Sequence, residues 1–306
     1  MQEVKIMHKN RTDLAMERIN PDHSCPGVEI RRWTETDIDI SEVIIHSKDA
    51  ARSLGKPRGN YITMECRLLN EHDPDARIAM ANLLGEELSK MLPEDESAPV
   101  LVVGLGNRDV TPDSLGPLAI EKTLVTRHIM DGDHSPRDLR SVCAVAPGVL
   151  GVTGIETVEV VESLTKKLHP RAVICIDSLA ARDSARIGCT LQLTDTGIQP
   201  GSGVGNHRKP LTKESLGVDV IALGVPTVVY AATLARDAFS LISGDAEEEA
   251  LTDMEKQLFG TELGNLIVTP RDIDAIVKNC ASMIAAGINH ALQPALSSEQ
   301  IARMME

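Results

Sequence analysis

Two aspartates in this chain lie where the sequence predicts the ends of buried strands. Asp113 follows the apolar run Val100–Val103 and a short glycine-containing loop, and Asp177 directly follows the apolar run 171–176. Because the carboxyl ends of parallel strands meet at one edge of an open sheet, we expect the two side chains to lie close together. Neighbouring carboxylates oppose double ionisation, so one can act as an acid and the other as a base. Such a pair predicts hydrolysis by an activated water, as cleavage of a peptide bond requires.

A purely structural role is the alternative for both aspartates. The tripeptide Thr111-Pro112-Asp113 is typical of a helix start, with the hydroxyl at the N-cap and the carboxylate in the first turn. Asp177 can likewise cap a turn over Ser178–Ala181. Aspartate is common at both kinds of position, so the residues alone slightly favour the capping role.

The loop before Asp113 contains Gly104 and Gly106, which suggests a dinucleotide site. The third glycine of that fingerprint is absent, and no Lys-Ser or Lys-Thr follows as a phosphate loop would need. The pattern therefore favours a loop that presents carboxylates. A non-enzymatic protein that binds a nucleotide or a partner through this loop is retained as an alternative.

Two glycine-containing loops are candidates for substrate binding through their backbone groups. The first comprises Gly104, Gly106 and Asn107. The second lies within the segment 196–211, and long ordered loops in compact domains tend to be functional. Its candidate residues are Gly201, Gly203, Gly205 and Asn206. The basic residues that follow, His207 to Lys209, suit substrate carboxylates or carbonyls.

Hydrophobic periodicity predicts an α/β fold. Apolar runs that alternate with helical patterns are typical of parallel βαβ units, which gives a mostly parallel sheet with helices on both faces. The N-terminal strands form a β-rich annex to a single domain, residues 16–306. The pattern predicts strands at 28–45, 61–66, 142–145, 171–176, 188–194 and 218–223, and helices at 75–92, 118–129, 153–168, 227–242 and from 269 onward. Residues 1–27 have no sustained period and suggest a disordered tail, and residues 244–265 suggest a charged peripheral insertion.

Composition excludes several classes of protein. The net charge of −14 argues against direct binding to nucleic acid, because phosphate backbones are bound by clusters of Lys and Arg. The six cysteines include no C-x-x-C pair, so neither a disulfide framework nor a structural zinc site is expected. No signal-peptide core and no 18-residue apolar run is present, which favours a reducing cytoplasm. The set His128, Asp131, Asp133 and His134 lies in a loop, where a surface turn is favoured over a metal site, and no cofactor is expected.

A series of motifs in order along the chain resembles the germination protease family of spore-forming bacteria. The resemblance spans about residues 10 to 296. Its motifs are GLGNRDVTPDSLGP, APGVLGVTGIET, ICIDSLAARD, TGIQPGSGVGN, GVPTVV and VTPRDIDAIV. The resemblance implies an endopeptidase that degrades small acid-soluble spore proteins in the spore core when germination begins. It also implies a homotetramer and a fold similar to that of the hydrogenase maturation peptidases.

The resemblance further implies a zymogen that is activated by removal of an N-terminal propeptide. The propeptide corresponds to residues 1–15 here. Its junction corresponds to the motif RTDLA, that is Arg11, Thr12, Asp13, Leu14 and Ala15.

The family's proposed catalytic pair corresponds to Asp113 and Asp177. In the maturation peptidases the matching carboxylates bind nickel, so a metal-dependent peptidase with His207 as a third ligand is a second alternative. The motif GVPTVV is followed in the family pattern by an acid, whereas this chain has Tyr230.

Overall fold

The computed structural model describes residues 12–19, 25–94, 97–130, 139–201, 208–243 and 248–305. Within these ranges the strands are β1 (Val28–Glu35), β2 (Ile38–Ile45), β3 (Gly59–Glu65), β4 (Val100–Gly104), β5 (Val142–Val145), β6 (Ala172–Ala181), β7 (Thr190–Thr194), β8 (Asp219–Tyr230) and β9 (Ile267–Val268). The helices are α1 (Lys48–Leu54), α2 (Pro74–Met91), α3 (Leu115–Ile120), α4 (Arg127–Met130), α5 (Leu150–Thr153), α6 (Thr157–Leu168), α7 (Lys213–Leu216), α8 (Ala231–Ser243), α9 (Glu248–Phe259), α10 (Ile273–Leu292) and α11 (Ser298–Met304).

All nine strands belong to one mixed sheet, in the order β1-β2-β3-β7-β8-β6-β4-β5, with β9 paired to β8. The block β5-β4-β6-β8 is parallel, whereas β1, β2, β3, β7 and β8 pair antiparallel with their neighbours. The prediction of a mostly parallel sheet was therefore wrong, because only the block β5-β4-β6-β8 is parallel. The predicted β-rich N-terminal part is present as β1, β2 and β3, and β7 joins it to the parallel block.

The parallel block has the helical layers that the βαβ pattern predicts. One face carries the main core, in which α2, α3 and α10 pack on inward side chains such as Ile174 and Ile176. The opposite face packs Val173 and Cys175 against Val158 and Val161 of α6. The alternation within β6 shows why its sequence is apolar throughout, since a strand buried on both faces needs apolar residues at odd and even positions.

Asp73 and Pro74 begin α2, one residue before the predicted start at 75. The Asp73 carboxylate accepts hydrogen bonds from the N–H groups of Asp75 and Ala76, and Pro74 occupies the first helical turn. The predicted helix over 118–129 is instead interrupted between α3 and α4. The buried side chain of Asn289 accepts from the Leu124 N–H at 2.8 Å, and its amide donates to the Lys122 carbonyl at 3.0 Å. These bonds satisfy backbone groups that a continuous helix would pair internally.

Two predicted peripheral segments are more ordered than expected. Thr12, Leu14 and Ala15 are buried, so this part of the predicted tail belongs to the folded body. The charged stretch after residue 247 forms α9, and its Phe259 contacts the ring of Tyr230 edge-on at 5.4 Å between centroids. In the described part of the chain, no helix combines the length and apolar character needed to span a bilayer.

Candidate active site

The site lies where the chain changes direction across the parallel block. From β4 the chain passes to β5 on one side, and from β5 it crosses to β6 on the other side of β4. The carboxyl ends of β4 and β6 therefore border a crevice, the usual ligand position in open α/β sheets. The N–H of Leu105 continues the pairing beyond β4, with a 2.8 Å bond to the Ile176 carbonyl.

Asp113 is held at this crevice by the loop that follows β4. Its Oδ2 accepts a hydrogen bond from the N–H of Asn107 at 2.8 Å. Gly106 has a φ of 107°, and a Cβ there would lie 2.0 Å from the backbone oxygen of Asp113. The loop can thus approach the turn at Asp113 only because residue 106 is glycine.

The capping role predicted as an alternative for Asp113 is wrong. Residues Thr111–Asp113 form a 3-10 turn without a side-chain cap, and α3 begins only at Leu115. The hydroxyl of Thr227 donates to the Pro112 carbonyl at 2.7 Å and ties this turn to β8. The carboxyl group of Asp113 binds the loop that precedes it, at the crevice, and does not bind the start of α3.

Asp177 lies inside β6, four residues before that strand ends, and not at its end as predicted. Its side chain is buried and accepts a 2.9 Å bond from the Ser178 N–H. Because residues 178–181 continue the strand, Asp177 does not cap a turn there. The neighbouring residue on β8 is Gly224, where a Cβ would lie 2.3 Å from the backbone oxygen of Asp177, so the close pairing here requires glycine.

The structure brings the two aspartates together on the wall of one cavity of about 560 Å³. Burial raises the pKa of Asp177 well above its ordinary value, and the nearby carboxylates of Asp113 and Asp13 raise it further. Burial also raises the pKa of Asp113, but the N–H of Asn107 opposes that effect by stabilising the carboxylate. This asymmetry favours a protonated Asp177 beside an ionised Asp113.

The N-terminal segment 12–15 runs along the end of β6 and lies next to the two aspartates. The N–H of Asp13 donates to the Ala180 carbonyl, and the Asp13 carboxylate accepts from the Ala180 N–H, both at 2.9 Å. Leu14 is fully buried in an apolar pocket that is formed by Leu179, Ala181, Ile187 and Val229. Asp13 lines the same cavity as Asp113 and Asp177, so the predicted propeptide junction and the predicted catalytic pair share one site.

The glycine loops contribute unequally. Gly106, Asn107 and Gly201 line the cavity. Gly104 does not line it, because it ends β4 against α3, where a Cβ would lie 2.4 Å from the Gly116 carbonyl oxygen. Gly203, Gly205 and Asn206 lie outside the described residues.

A metal centre has no support from the residues the structure describes, since these contain no group of three or more His, Cys, Asp or Glu arranged for an ion. His207, the third ligand considered above, lies outside the described ranges, as do Asp131, Asp133 and His134. Tyr230, which replaces the expected acid, is buried against Phe259 and does not line the cavity.

Two polar residues at the site were not predicted. Lys56 follows α1, and Gln192 lies in β7, and both contact the N-terminal segment. Gln192 had a detectable signal, since it is the one amide in the otherwise apolar or threonine strand TLQLT. Lys56 had none, because a lysine after a short helix is ordinarily a surface residue.

Comparison with known proteins places the chain in a family. The family model for germination protease matches residues 3–258. The germination protease of Clostridium tetani is 39% identical over 315 residues, which cover 95% of this chain and 98% of that protein. That of Caldanaerobacter subterraneus is 41% identical, with 96% and 98% covered, and that of Bacillus cereus is 36% identical, with 92% and 93% covered. The chain therefore belongs to the germination protease family and is an endopeptidase.

Proposed function

We propose that this endopeptidase degrades small acid-soluble spore proteins during germination, in the spore core, by an aspartate-dependent mechanism. The observation that carries the mechanism is the meeting of Asp113 and Asp177 on one cavity wall at the edge of the sheet. Asp113 is the base, because a backbone N–H stabilises its carboxylate. Asp177 is the acid, because burial and the neighbouring carboxylates favour its protonated form.

In the proposed hydrolysis, the two carboxyl groups have different roles. Asp113 removes a proton from a water whose oxygen attacks the carbonyl carbon of the substrate. Asp177 gives its proton to the amide nitrogen as the C–N bond breaks, which yields a carboxylic acid and a free amine. General acid and base assistance of this kind each contribute roughly 10²–10⁴-fold to a rate.

We also propose that the chain is made as a zymogen whose cleavage falls within the motif from Arg11 to Ala15. What supports this is the position of the segment: Asp13 lines the cavity of the two aspartates, and Leu14 fills a closed apolar pocket. A segment bound in this way excludes a substrate from the same place. The activating cleavage removes that block.

The proposed assembly is a homotetramer. Large apolar side chains are exposed on α8, on the segment before β9 and at the first residue of β9, where an interface would bury them. They are Phe239, Leu241, Ile242, Leu263, Leu266 and Ile267. The kinship with the hydrogenase maturation peptidases also remains a prediction, supported by the carboxylates at the edge of the parallel block.

Incubation of the purified protein with a small acid-soluble spore protein tests the proposed function. We expect discrete fragments, and sequencing of their ends defines the cleaved bonds. N-terminal sequencing of the protease in the same sample should locate its own processing between residues 11 and 15. An intact spore protein after prolonged incubation with processed enzyme would refute the proposed substrate.

A further inference from the structure

The carbonyl oxygen of Asp13 accepts two side-chain hydrogen bonds. The ammonium group of Lys56 donates to it at 2.7 Å, and the Gln192 amide nitrogen Nε2 donates at 3.0 Å. A backbone carbonyl in an extended segment ordinarily pairs with one N–H of a neighbouring strand. Two convergent donors, one of them cationic, polarise this carbonyl more strongly than a ladder hydrogen bond does.

Both donors are fixed by their own surroundings. The N–H of Lys56 donates to the Ala51 carbonyl across Gly55, whose left-handed backbone ends α1. Gln192 is buried, and its Oε1 accepts the Ala15 N–H at 2.7 Å. Because Oε1 must be the acceptor in that bond, Nε2 is the atom that faces the Asp13 carbonyl. The orientation of the amide therefore follows from its partners.

The register of the sheet places Gln192 and Asp177 on either side of Gly224, in one row of the sheet. Asp177 on β6 is paired with Gly224 on β8, and Gly224 is paired with Gln192 on β7. Residues in one such row point to the same face of a sheet. Gly224 has no side chain, and a Cβ there would lie 2.3 Å from the backbone oxygen of Asp177.

Gly224 and Asp13 both line a second cavity of about 320 Å³. Asp177, Gln192 and Lys56 line the same cavity. Asp13 and Asp177 also line the larger cavity beside Asp113, so residue 13 borders both the cavity of the carboxyl pair and the cavity of the two donors.

We infer that Lys56 and Gln192 are a catalytic pair that binds the oxyanion of the peptide bond under attack, and that the Asp13 carbonyl occupies the place of the substrate carbonyl. The inference rests on the proposed aspartate-dependent hydrolysis, and it adds the groups that stabilise the negative charge on the carbonyl oxygen.

The electron balance of the step shows what the pair contributes. As the water oxygen bonds to the carbonyl carbon, the π electrons of the C=O bond move to its oxygen, which becomes negative. The Nζ–H and Nε2–H groups stabilise that charge. When the C–N bond breaks, the electrons return to restore C=O, and the nitrogen takes the proton of Asp177. Removing one preorganised donor of this kind typically lowers kcat by roughly 10²–10³-fold.

The charge state of Lys56 suits this role. The pKa of Lys56 is lowered to about 8, chiefly by burial and in smaller part by the positive charge of Arg18, while the carboxylates of Asp13 and Glu17 act in the opposite direction. The ammonium form is therefore the major one at neutral pH. Its charge is also close to where the oxyanion forms, since Lys56 shares a cavity with Asp177.

Two variants remove one donor each and leave the rest of the site in place. Lys56→Met removes the ammonium group but keeps an unbranched side chain. Gln192→Glu keeps an oxygen that accepts the Ala15 N–H but has no N–H to donate. We expect kcat for cleavage of a small acid-soluble spore protein, and the rate of self-processing, to fall about 100-fold or more in each. Lys56→Arg should restore part of the rate, because it returns a cationic donor.

Hydrogen exchange distinguishes catalysis from a merely structural role. If Lys56 only held the segment in place, Lys56→Met would lose the protection of the Asp13 amide, which donates to Ala180. We expect that protection to remain while the rate falls. Lys48→Met, at the exposed start of α1, is the matched control and should keep wild-type rates.

The outcomes of these experiments distinguish a failure of the oxyanion pair from a failure of the proposed function. Wild-type protein that cleaves the spore protein, together with Lys56→Met and Gln192→Glu variants within about threefold of its kcat, would overturn the oxyanion pair and leave the proposed function standing. Loss of rate together with loss of protection at Asp13 would also overturn it, in favour of a positioning role. A wild-type protein that cleaves neither the spore protein nor itself would overturn both.

Discussion

At the scale of residues, the account depends on the different surroundings of two carboxyl groups of the same type. Asp177 is buried in a strand and near two other carboxylates, whereas Asp113 is half-buried and accepts a backbone N–H. The environment therefore supports the proposed assignment of Asp177 as the acid and Asp113 as the base, although the sequence shows two aspartates.

The stability of the protein should report the protonation of Asp177. Its folded-state pKa lies well above the ordinary 3.8, so the folded protein binds this proton more tightly than the unfolded chain does. The contribution of the group to stability is complete below about pH 3.8 and is lost as the pH rises through the raised pKa. Asp177→Asn removes that loss and should be more stable than the wild type at pH 7, by an amount that shrinks as the pH falls.

Urea unfolding at pH 5 and pH 7 measures this difference in the free energy of unfolding. Asp49→Asn, at an exposed position on α1, is the control and should follow the wild-type dependence on pH. Parallel stability curves for the wild type and Asp177→Asn would show that Asp177 is not held protonated.

At the residue scale, the site residues that the sequence did not predict are brought to the site by long-range contacts. The carboxyl pair was predictable, because each aspartate follows an apolar run and parallel strands share an edge. Lys56 and Gln192 were not, because they are brought to Asp13 by the antiparallel half of the sheet and by the end of α1. No local pattern encodes which strands become neighbours.

At the scale of elements, the loop after β4 is the part that positions the base. Gly106→Ala forces a side chain into a left-handed backbone and against the Asp113 peptide. The strain should cost about 1–3 kcal/mol of stability. A displacement of Asp113 by about 1 Å can reduce kcat by roughly 100-fold.

Gly217→Ala is the matched control for this substitution, because residue 217 also has a left-handed backbone but a Cβ there meets nothing within 4 Å. Gly106→Ala should have the lower free energy of unfolding and the lower kcat of the two variants. Equal effects at both glycines would mean that the loop does not hold Asp113 through this contact.

The element pattern was predicted best for α2, β4 and β5, which have the expected types and nearly the expected bounds. The strands β6 and β8 continue well beyond the predicted ranges 171–176 and 218–223. The interruption between α3 and α4 was missed because its cause, the side chain of Asn289, comes from α10. The continuation of β6 beyond Asp177 was missed because a polar residue was taken to end the strand.

At the scale of the whole molecule, one continuous sheet places the N-terminal segment at the site. Its antiparallel half carries α1 and β7, which contact residues 13–15, and its parallel half carries the two aspartates. If the N-terminus is processed as proposed, loss of this segment opens the cavity.

Self-association is a property of the whole molecule that mass measurement tests. Light scattering should give about four times the chain mass of 33.0 kDa for the homotetramer. Leu241→Glu, which changes an exposed apolar side chain on α8, should lower that mass if α8 forms part of the interface. Lys166→Glu introduces the same residue at an exposed position of α6 that is already polar, and it should leave the mass unchanged. A monomer mass for the wild-type protein would contradict the tetramer.

The central claim is that Asp113 and Asp177 together perform the hydrolysis, and kcat of their asparagine variants tests it most directly. Measured with a small acid-soluble spore protein and accompanied by circular dichroism, Asp113→Asn and Asp177→Asn should each fold like the wild type and lose about 100-fold or more of its kcat. The double variant should lose little beyond the worse single variant, because the two groups act on one reaction step. Wild-type kcat in either folded single variant would contradict the account.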